Sequence, residues 1–166
     1  MRLSEVKGNI IRMAEEGQIE AIVHGCNCVH AMGSGIAGQF ARRYPEVPKA
    51  DIDGSVFNDV TKLGTWTKAA VRSIVNPSIV FDVYNMYTQK RPAYNGVDVF
   101  EYAAFQRGCE ALADYVLDHP EYIIAFPKIG AGLAGGDWNR IRQTILDAFE
   151  HTNTQIVLVE WDGTNL

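Results

Sequence analysis

An α/β fold, with a mixed or largely parallel sheet covered by helices on both faces, is what the sequence predicts. Three observations point to it. Short apolar runs rich in β-branched and aromatic residues alternate with segments of helical spacing. A run such as "EAIVH", Glu20 to His24, is apolar on consecutive positions, as a strand buried on both faces must be. Two of the runs lead through glycine-spaced loops into helical segments, the usual way a strand hands over to a helix beside a ligand.

Taken in order, Met1 to Lys7 reads as an edge strand, released into a turn by Gly8. Glu20 to His24 is the first buried strand. Ile36 to Tyr44 has helical spacing, with Ile36, Phe40 and Tyr44 four residues apart and Pro45 ending the run, and a second short helix follows Pro48. Thr65 to Val71 and Ile79 to Tyr87 are strands joined through the turn "VNPS". Asp98 to about Leu117 is the longest helical segment, with Phe105, Leu112 and Val116 on one face and a stop before His119 and Pro120. Strand Tyr122 to Phe126, helix Trp138 to Phe149 and strand Gln155 to Glu160 complete the pattern.

Composition narrows the function. The 166 residues fit one domain spanning 1–166, and an apolar share of 47% fills a core without disulfides or metals. A formal charge of −5 and the lack of a long basic run argue against sequence-independent binding of duplex nucleic acid, which depends on Lys and Arg. No stretch approaches the roughly 20 apolar residues of a membrane span, and the N-terminus lacks the layout of a signal peptide, so a cytoplasmic, soluble protein is expected. Cys26, Cys28 and Cys109 are expected to be reduced thiols.

Two loops carry the candidate chemistry. "HGCNCVHAMGSGIAGQF", His24 to Phe40, crosses Gly33 and Gly35 before entering a helix at Ile36. "FPKIGAGLAGGDW", Phe126 to Trp138, does the same and contains a literal G-x-G-x-x-G at Gly130, Gly132 and Gly135. Both remove side chains where a ligand would approach the main chain, and both end at helix N-termini, where unpaired N–H groups attract phosphate. A diphosphate gripped from two sides is the natural expectation; a tight strand-to-helix turn is the alternative for either loop alone. Read literally, the second loop also mimics a dinucleotide fingerprint with Glu160 as the ribose acid, but six residues after Glu160 leave no room for the rest of such a domain.

With "VKGNI" (Val6 to Ile10), "HGCNC…MGSGIAGQFARRYP", "PKIGAGLAGGDW" and the closing "IVLVEW" in view, the chain resembles the macro domain family over nearly its whole length. Members of that family bind ADP-ribose, and some hydrolyse its derivatives. The resemblance implies a three-layer α/β/α sandwich and, as partner, ADP-ribose or a derivative such as ADP-ribose 1″-phosphate, with ADP-ribosylated macromolecules as further candidates. No cofactor or metal is implied. It puts Asn9 and Ile10 at the adenine, where family members usually carry an acid in place of Asn9. Gly33, Ser34, Gly35, Ile36 and Ala37 would form one phosphate cradle, and Ile129, Gly130, Ala131, Gly132 and Leu133 the other. Asn27 would contact the distal ribose, or else cap its own loop. Trp161, or a neighbouring aromatic, would face the adenine, or else serve ordinary packing.

For catalysis the resemblance offers two routes. His24 matches the histidine of members that remove the terminal phosphate, where it would act as base or acid towards water; a core histidine is the alternative, and His30 is the loop candidate. Lys90, in "YTQKRPAY", matches the lysine of the glycohydrolase branch, which attacks the sugar. That branch pairs the lysine with an aspartate where this chain has Ala134; Asp137 is the available substitute, and equally a helix N-cap. The missing acid turns the expectation towards phosphate-monoester hydrolysis, with a non-catalytic ADP-ribose reader and a de-ADP-ribosylating hydrolase as the other readings. His24, Cys26, Cys28 and His30 alternate as H-x-C-x-C-x-H, a spacing unlike the knuckles that hold zinc, so a metal site is not expected.

Overall fold

The computed structural model describes residues 1–92, 99–119, 121–130 and 135–166. Its elements run β1 (Arg2–Gly8), α1 (Ile10–Glu15), β2 (Ala21–Asn27), α2 (Gly35–Arg43), α3 (Glu46–Gly54), a 3-10 turn (Val60–Lys62), β3 (Trp66–Arg72), β4 (Val80–Gln89), α4 (Tyr102–Tyr115), β5 (Ile123–Pro127), α5 (Trp138–Phe149) and β6 (Gln155–Trp161). The six strands form one sheet in the order β1-β6-β5-β2-β4-β3. Every pairing is parallel except that of edge strand β3 with β4.

Helices cover both faces. Along β2 the side chains alternate: Val23 packs with α4 and α5 through Phe105, Leu112, Ile141 and Ile145, whereas Ile22 packs with α1, α2 and α3 through Ile11, Phe40 and Val47. Two apolar layers therefore sandwich the sheet, as the continuous apolar strands require.

Element boundaries differ from the sequence reading for local reasons. Helix α1 escaped it: one and a half turns start at Asn9, whose side-chain oxygen accepts from the Arg12 N–H at 3.2 Å, and bury Ile10, Ile11 and Ala14. Helix α3 begins at Glu46, before Pro48, because proline is tolerated in a first helical turn. Helix α4 runs from Tyr102 to Tyr115, two residues short of the expected Leu117; Asp98, its expected start, lies outside the described residues. Strand β4 runs on to Gln89, and its register against β2 shifts there: Cys26 pairs with Tyr87, but Asn27 pairs with Gln89. Thr88 is thus an extra residue at the end of the strand, a bulge that re-aims the side chains around it.

Candidate functional site

The carboxyl ends of β1, β2, β4, β5 and β6 share one edge of the sheet, where ligands of open α/β sheets bind. Two hollows lie along it and meet at Gly35, Ile36, Pro127 and Lys128. One, of about 440 Å³, is lined by Asn9, Ile10, Gln39, Val159, Glu160 and Trp161. The other, of about 500 Å³, is lined by Gly25, Asn27, Gly33, Ser34, Ala37, Thr88, Gln89, Ile129 and Gly130. Together they make one groove with an apolar, aromatic-walled end and an end walled by backbone and amides. A larger hollow of about 990 Å³ lies towards the amino ends of the strands. Two pairs of its polar groups bond to one another: Tyr122 donates to Asp82 at 2.6 Å, and the Lys68 ammonium donates to the Tyr115 hydroxyl at 3.4 Å.

At the centre of the groove stands the N-terminus of α2. Ser34, its N-cap, makes no side-chain capping bond, and the first helical hydrogen bond runs from Gly38 N to Ser34 O at 2.9 Å. The amides of Gly35, Ile36 and Ala37 precede that bond, leaving the positive end of the helix for an anion. Gly35 has φ 57°, the left-handed region, and an added Cβ would meet nothing within 4 Å. Lys128 supplies a side-chain cation to the same stretch and bridges to Glu160 at 3.1 Å. Sequence reading missed Lys128, although its place directly after Pro127, at the mouth of the second loop, was the available signal.

The structure brings Asn9, Ile10, Gly35, Ile36 and Trp161 to the apolar end, and Asn27, Gly33, Ser34, Ala37, Ile129 and Gly130 to the other. Ala131, Gly132, Leu133 and Ala134 lie outside the described residues. Asn27 staples its own loop: its oxygen accepts from Val29 N and Ala31 N at 3.1 and 3.2 Å, and its amide donates to Ala31 O at 2.8 Å. It still lines the groove beside Gln89 and Thr88. The Thr88 hydroxyl oxygen is buried and has no hydrogen-bond partner among the described residues. Gly25 leaves room for it, since a Cβ there would stand 2.8 Å from that oxygen.

Of the four residues expected to take part in chemistry, Asn27 lines the groove, and His24, Lys90 and Asp137 stand as follows. His24 is completely buried beneath the groove. Asn85 donates its amide to Val47 O and Thr67 Oγ1, so its oxygen accepts from His24 Nε2–H at 2.6 Å, which fixes the tautomer. Burial pushes the His24 pKa down to about 4, against the smaller opposing effect of the Asn85 hydrogen bond. Buried, bonded to Asn85 and absent from the described lining of either hollow, the ring sits where a core histidine would, which counts against its reading as catalytic base. Lys90 is exposed; among the described residues the lining includes its neighbours Gln89 and Pro92 but not Lys90 itself. Asp137 is the N-cap of α5, accepting from Asn139 N at 3.0 Å, and is likewise outside the lining.

The H-x-C-x-C-x-H residues do not converge. Cys26 Sγ lies 3.5 Å from His24 Nε2, while His30 turns to Ser55 Oγ at 3.0 Å. Among the described residues no group of three or more His, Cys, Asp or Glu is placed to hold a metal. No described helix is long and apolar enough to cross a membrane.

No family model matches the chain. Individual proteins do. An uncharacterized 17.5 kDa protein of the tk-vs intergenic region of Enterobacteria phage T4 is 36% identical over 165 residues, covering 98% of each chain. The DNA ADP-ribosyl glycohydrolase of Mycobacterium tuberculosis is 28% identical over 131 residues, which is 79% of this chain and 35% of that protein. The chain thus spans about a third of the length of that relative. A 47-residue stretch, 28% of this chain, is 43% identical to the ADP-ribose 1″-phosphate phosphatase of Saccharomyces cerevisiae. Among solved structures, the macrodomain of Mycobacterium tuberculosis DarG superposes with a TM-score of 0.71 at 27% identity, covering 95% of this chain and 96% of that one. Thermosipho africanus DarTG, solved in complex with ADP-ribose, shares the fold at 15% identity with a TM-score of 0.69, over 100% of this chain and 43% of that one. A groove at the carboxyl edge of a six-stranded mixed sheet, entered by an uncapped helix N-terminus, thus occurs in a chain that belongs to the macro domain family.

Proposed function

We propose that the groove binds ADP-ribose and that the protein releases it from a modified macromolecule. The observation that carries the binding is the uncapped N-terminus of α2, which opens midway between an aromatic-walled hollow and one lined by amides and hydroxyls. A diphosphate on the amides of Gly35, Ile36 and Ala37, beside Lys128, sends the adenine towards Trp161 and the distal ribose towards Asn27, Thr88 and Gln89. That disposition matches the order of groups in the ligand.

For the reaction, similarity to DNA ADP-ribosyl glycohydrolases extends over most of the chain, whereas similarity to the phosphatase covers a short stretch. Hydrolysis of ADP-ribose 1″-phosphate is the weaker reading, because His24, the residue it relied on, is buried and neutral. Among the described residues at that end, Asn27, Thr88 and Gln89 are neutral; the Gln89 amide donates to Arg91 O at 2.9 Å, which leaves its oxygen to orient a water. With no general base among the described residues at that end, water attack on the anomeric carbon is expected to be slow and turnover low. A reader that holds ADP-ribose without cleaving it is the second reading, favoured by the absence of Lys90 from the described part of the groove lining.

Three substrates separate the readings: an ADP-ribosylated oligonucleotide, an ADP-ribosylated protein and ADP-ribose 1″-phosphate, followed for free ADP-ribose and inorganic phosphate. Release of ADP-ribose from either macromolecule supports the proposal. Phosphate release alone revives the phosphatase, and binding without any product leaves the reader.

A further inference from the structure

At the base end of the groove, one backbone carbonyl ties two walls together. The Thr164 carbonyl accepts from Asn9 Nδ2 at 3.0 Å and from Trp161 Nε1 at 2.8 Å. The segment that presents it is itself held. Asp162 Oδ1 accepts from Thr164 N at 2.9 Å and from Thr164 Oγ1 at 2.6 Å, Asp162 N donates to Gly8 O at 3.2 Å, and Arg12 reaches on to the Asn165 carbonyl. Trp161 is otherwise 63% exposed, so little packing fixes its ring.

We propose that Thr164 latches Asn9 to Trp161, and that Asn9 serves the base site as the donor that holds this latch rather than by reading the base itself. This rests on the reading that the groove binds ADP-ribose. With its oxygen on the Arg12 amide and its NH₂ on Thr164, Asn9 is engaged on both sides of the side chain. Only an amide does both jobs. Aspartate, as good an N-cap, offers no donor when ionised and sets a carboxylate against the Thr164 carbonyl. The departure from an acid at this position, odd if Asn9 recognises adenine, is what the latch requires. Trp161 then stands as a fixed wall against which a planar base stacks, its edge pinned through the indole N–H.

The proposal separates from direct base recognition by the sign of one substitution. If Asn9 reads the amino group of adenine, Asn9→Asp supplies a stronger acceptor and tightens ADP-ribose binding. If Asn9 holds the latch, Asn9→Asp weakens binding of both ADP-ribose and AMP by about 10-fold near neutral pH, the scale of a lost hydrogen bond with a repulsion added. A pH profile adds a readout that mere packing would not move. Protonation turns the introduced carboxyl into a donor, so the deficit relative to the parent shrinks as the pH falls.

Trp161→Phe keeps a ring and loses the N–H, and Asp162→Ala loosens the turn without entering the hollow. Each is expected to weaken ADP-ribose binding by about 5-fold, and the double variant no further than the single ones, because both act through the same carbonyl. Both sites are exposed, so these variants keep the test open should Asn9→Asp fold poorly. Calorimetric titration of the full chain and of each variant with ADP-ribose and AMP measures these changes. A parent that binds ADP-ribose while Asn9→Asp binds it as tightly or more tightly, or while the Trp161 and Asp162 effects add, overturns the latch alone. A parent that binds neither ligand removes the reading beneath it as well.

Discussion

At Gly33 and Gly35, in the first glycine loop, an added Cβ would meet nothing within 4 Å, whereas at Gly130, in the second, it would lie 2.5 Å from the ring of Phe100. Both loops leave a buried strand and feed a helix, and both contain a glycine with positive φ, 57° at Gly35 and 73° at Gly130. Yet the first loop is bare on the side of the groove, while the second is bare at Gly130 because the core presses against it. In the second loop, Gly136 N also donates to Gly130 O at 2.7 Å. Glycine spacing in sequence therefore reports close approach without saying whether a ligand or the protein does the approaching.

Substitutions at these glycines give the sharpest contrast. Gly35→Val puts a branched side chain into the groove and forces a strained φ, so ADP-ribose affinity is expected to fall by about 1,000-fold, or about 4 kcal/mol, while folding costs only about 1–2 kcal/mol. Gly130→Ala reverses the balance. Overpacking against Phe100 together with the positive φ is expected to cost about 3 kcal/mol of stability, read by urea denaturation, with a smaller effect on binding by the fraction that remains folded. If both variants lose affinity equally at unchanged stability, the two loops are alike after all.

The buried His24 tests the floor of the groove. Its folded pKa of about 4 lies below its ordinary value of 6.5, so the unfolded chain binds the proton more readily in between. The stabilising contribution of neutral His24 is complete above pH 6.5, is lost as the pH falls from there towards 4, and reaches about 3 kcal/mol. His24→Gln should flatten that part of the stability-versus-pH curve. An unchanged curve would mean that the ring is accessible, and would restore it as a candidate base.

Lys90→Ala carries the smallest expected effect: less than about a 2-fold change in ADP-ribose affinity or in release of ADP-ribose, since an exposed cation outside the groove contributes little. Abolished release in that variant would place the lysine in the reaction and contradict the geometry described for β4.

Much of the fold was legible because parallel strands buried on both faces leave continuous apolar runs, and because Gly8, Pro45 and the "VNPS" turn punctuate them. Helix α1 was not: six residues are too few to display a period, and its signal is a single cap at Asn9. The places of the residues expected to bind were easier to foresee than those of the residues expected to react. Asn27 and Trp161 end strands and Gly35 opens the helix that follows one, and the carboxyl edge of a parallel sheet collects such positions whatever the details. Which side chain at the end of β4 faces the ligand depends on one extra residue in the ladder, and a bulge leaves no mark in "YTQKRP". His24 depends on burial, and the acceptor that locks it, Asn85, lies 61 residues away in the chain.

Calorimetric titration of the parent protein with ADP-ribose and with AMP addresses the continuity of the groove most directly. One ligand spans both hollows and the α2 N-terminus; the other reaches only the aromatic end. A single site per chain that prefers ADP-ribose by about 100-fold, close to 2.7 kcal/mol, is the predicted result. Equal affinity for the two, or no binding of ADP-ribose, would contradict a single diphosphate-centred site.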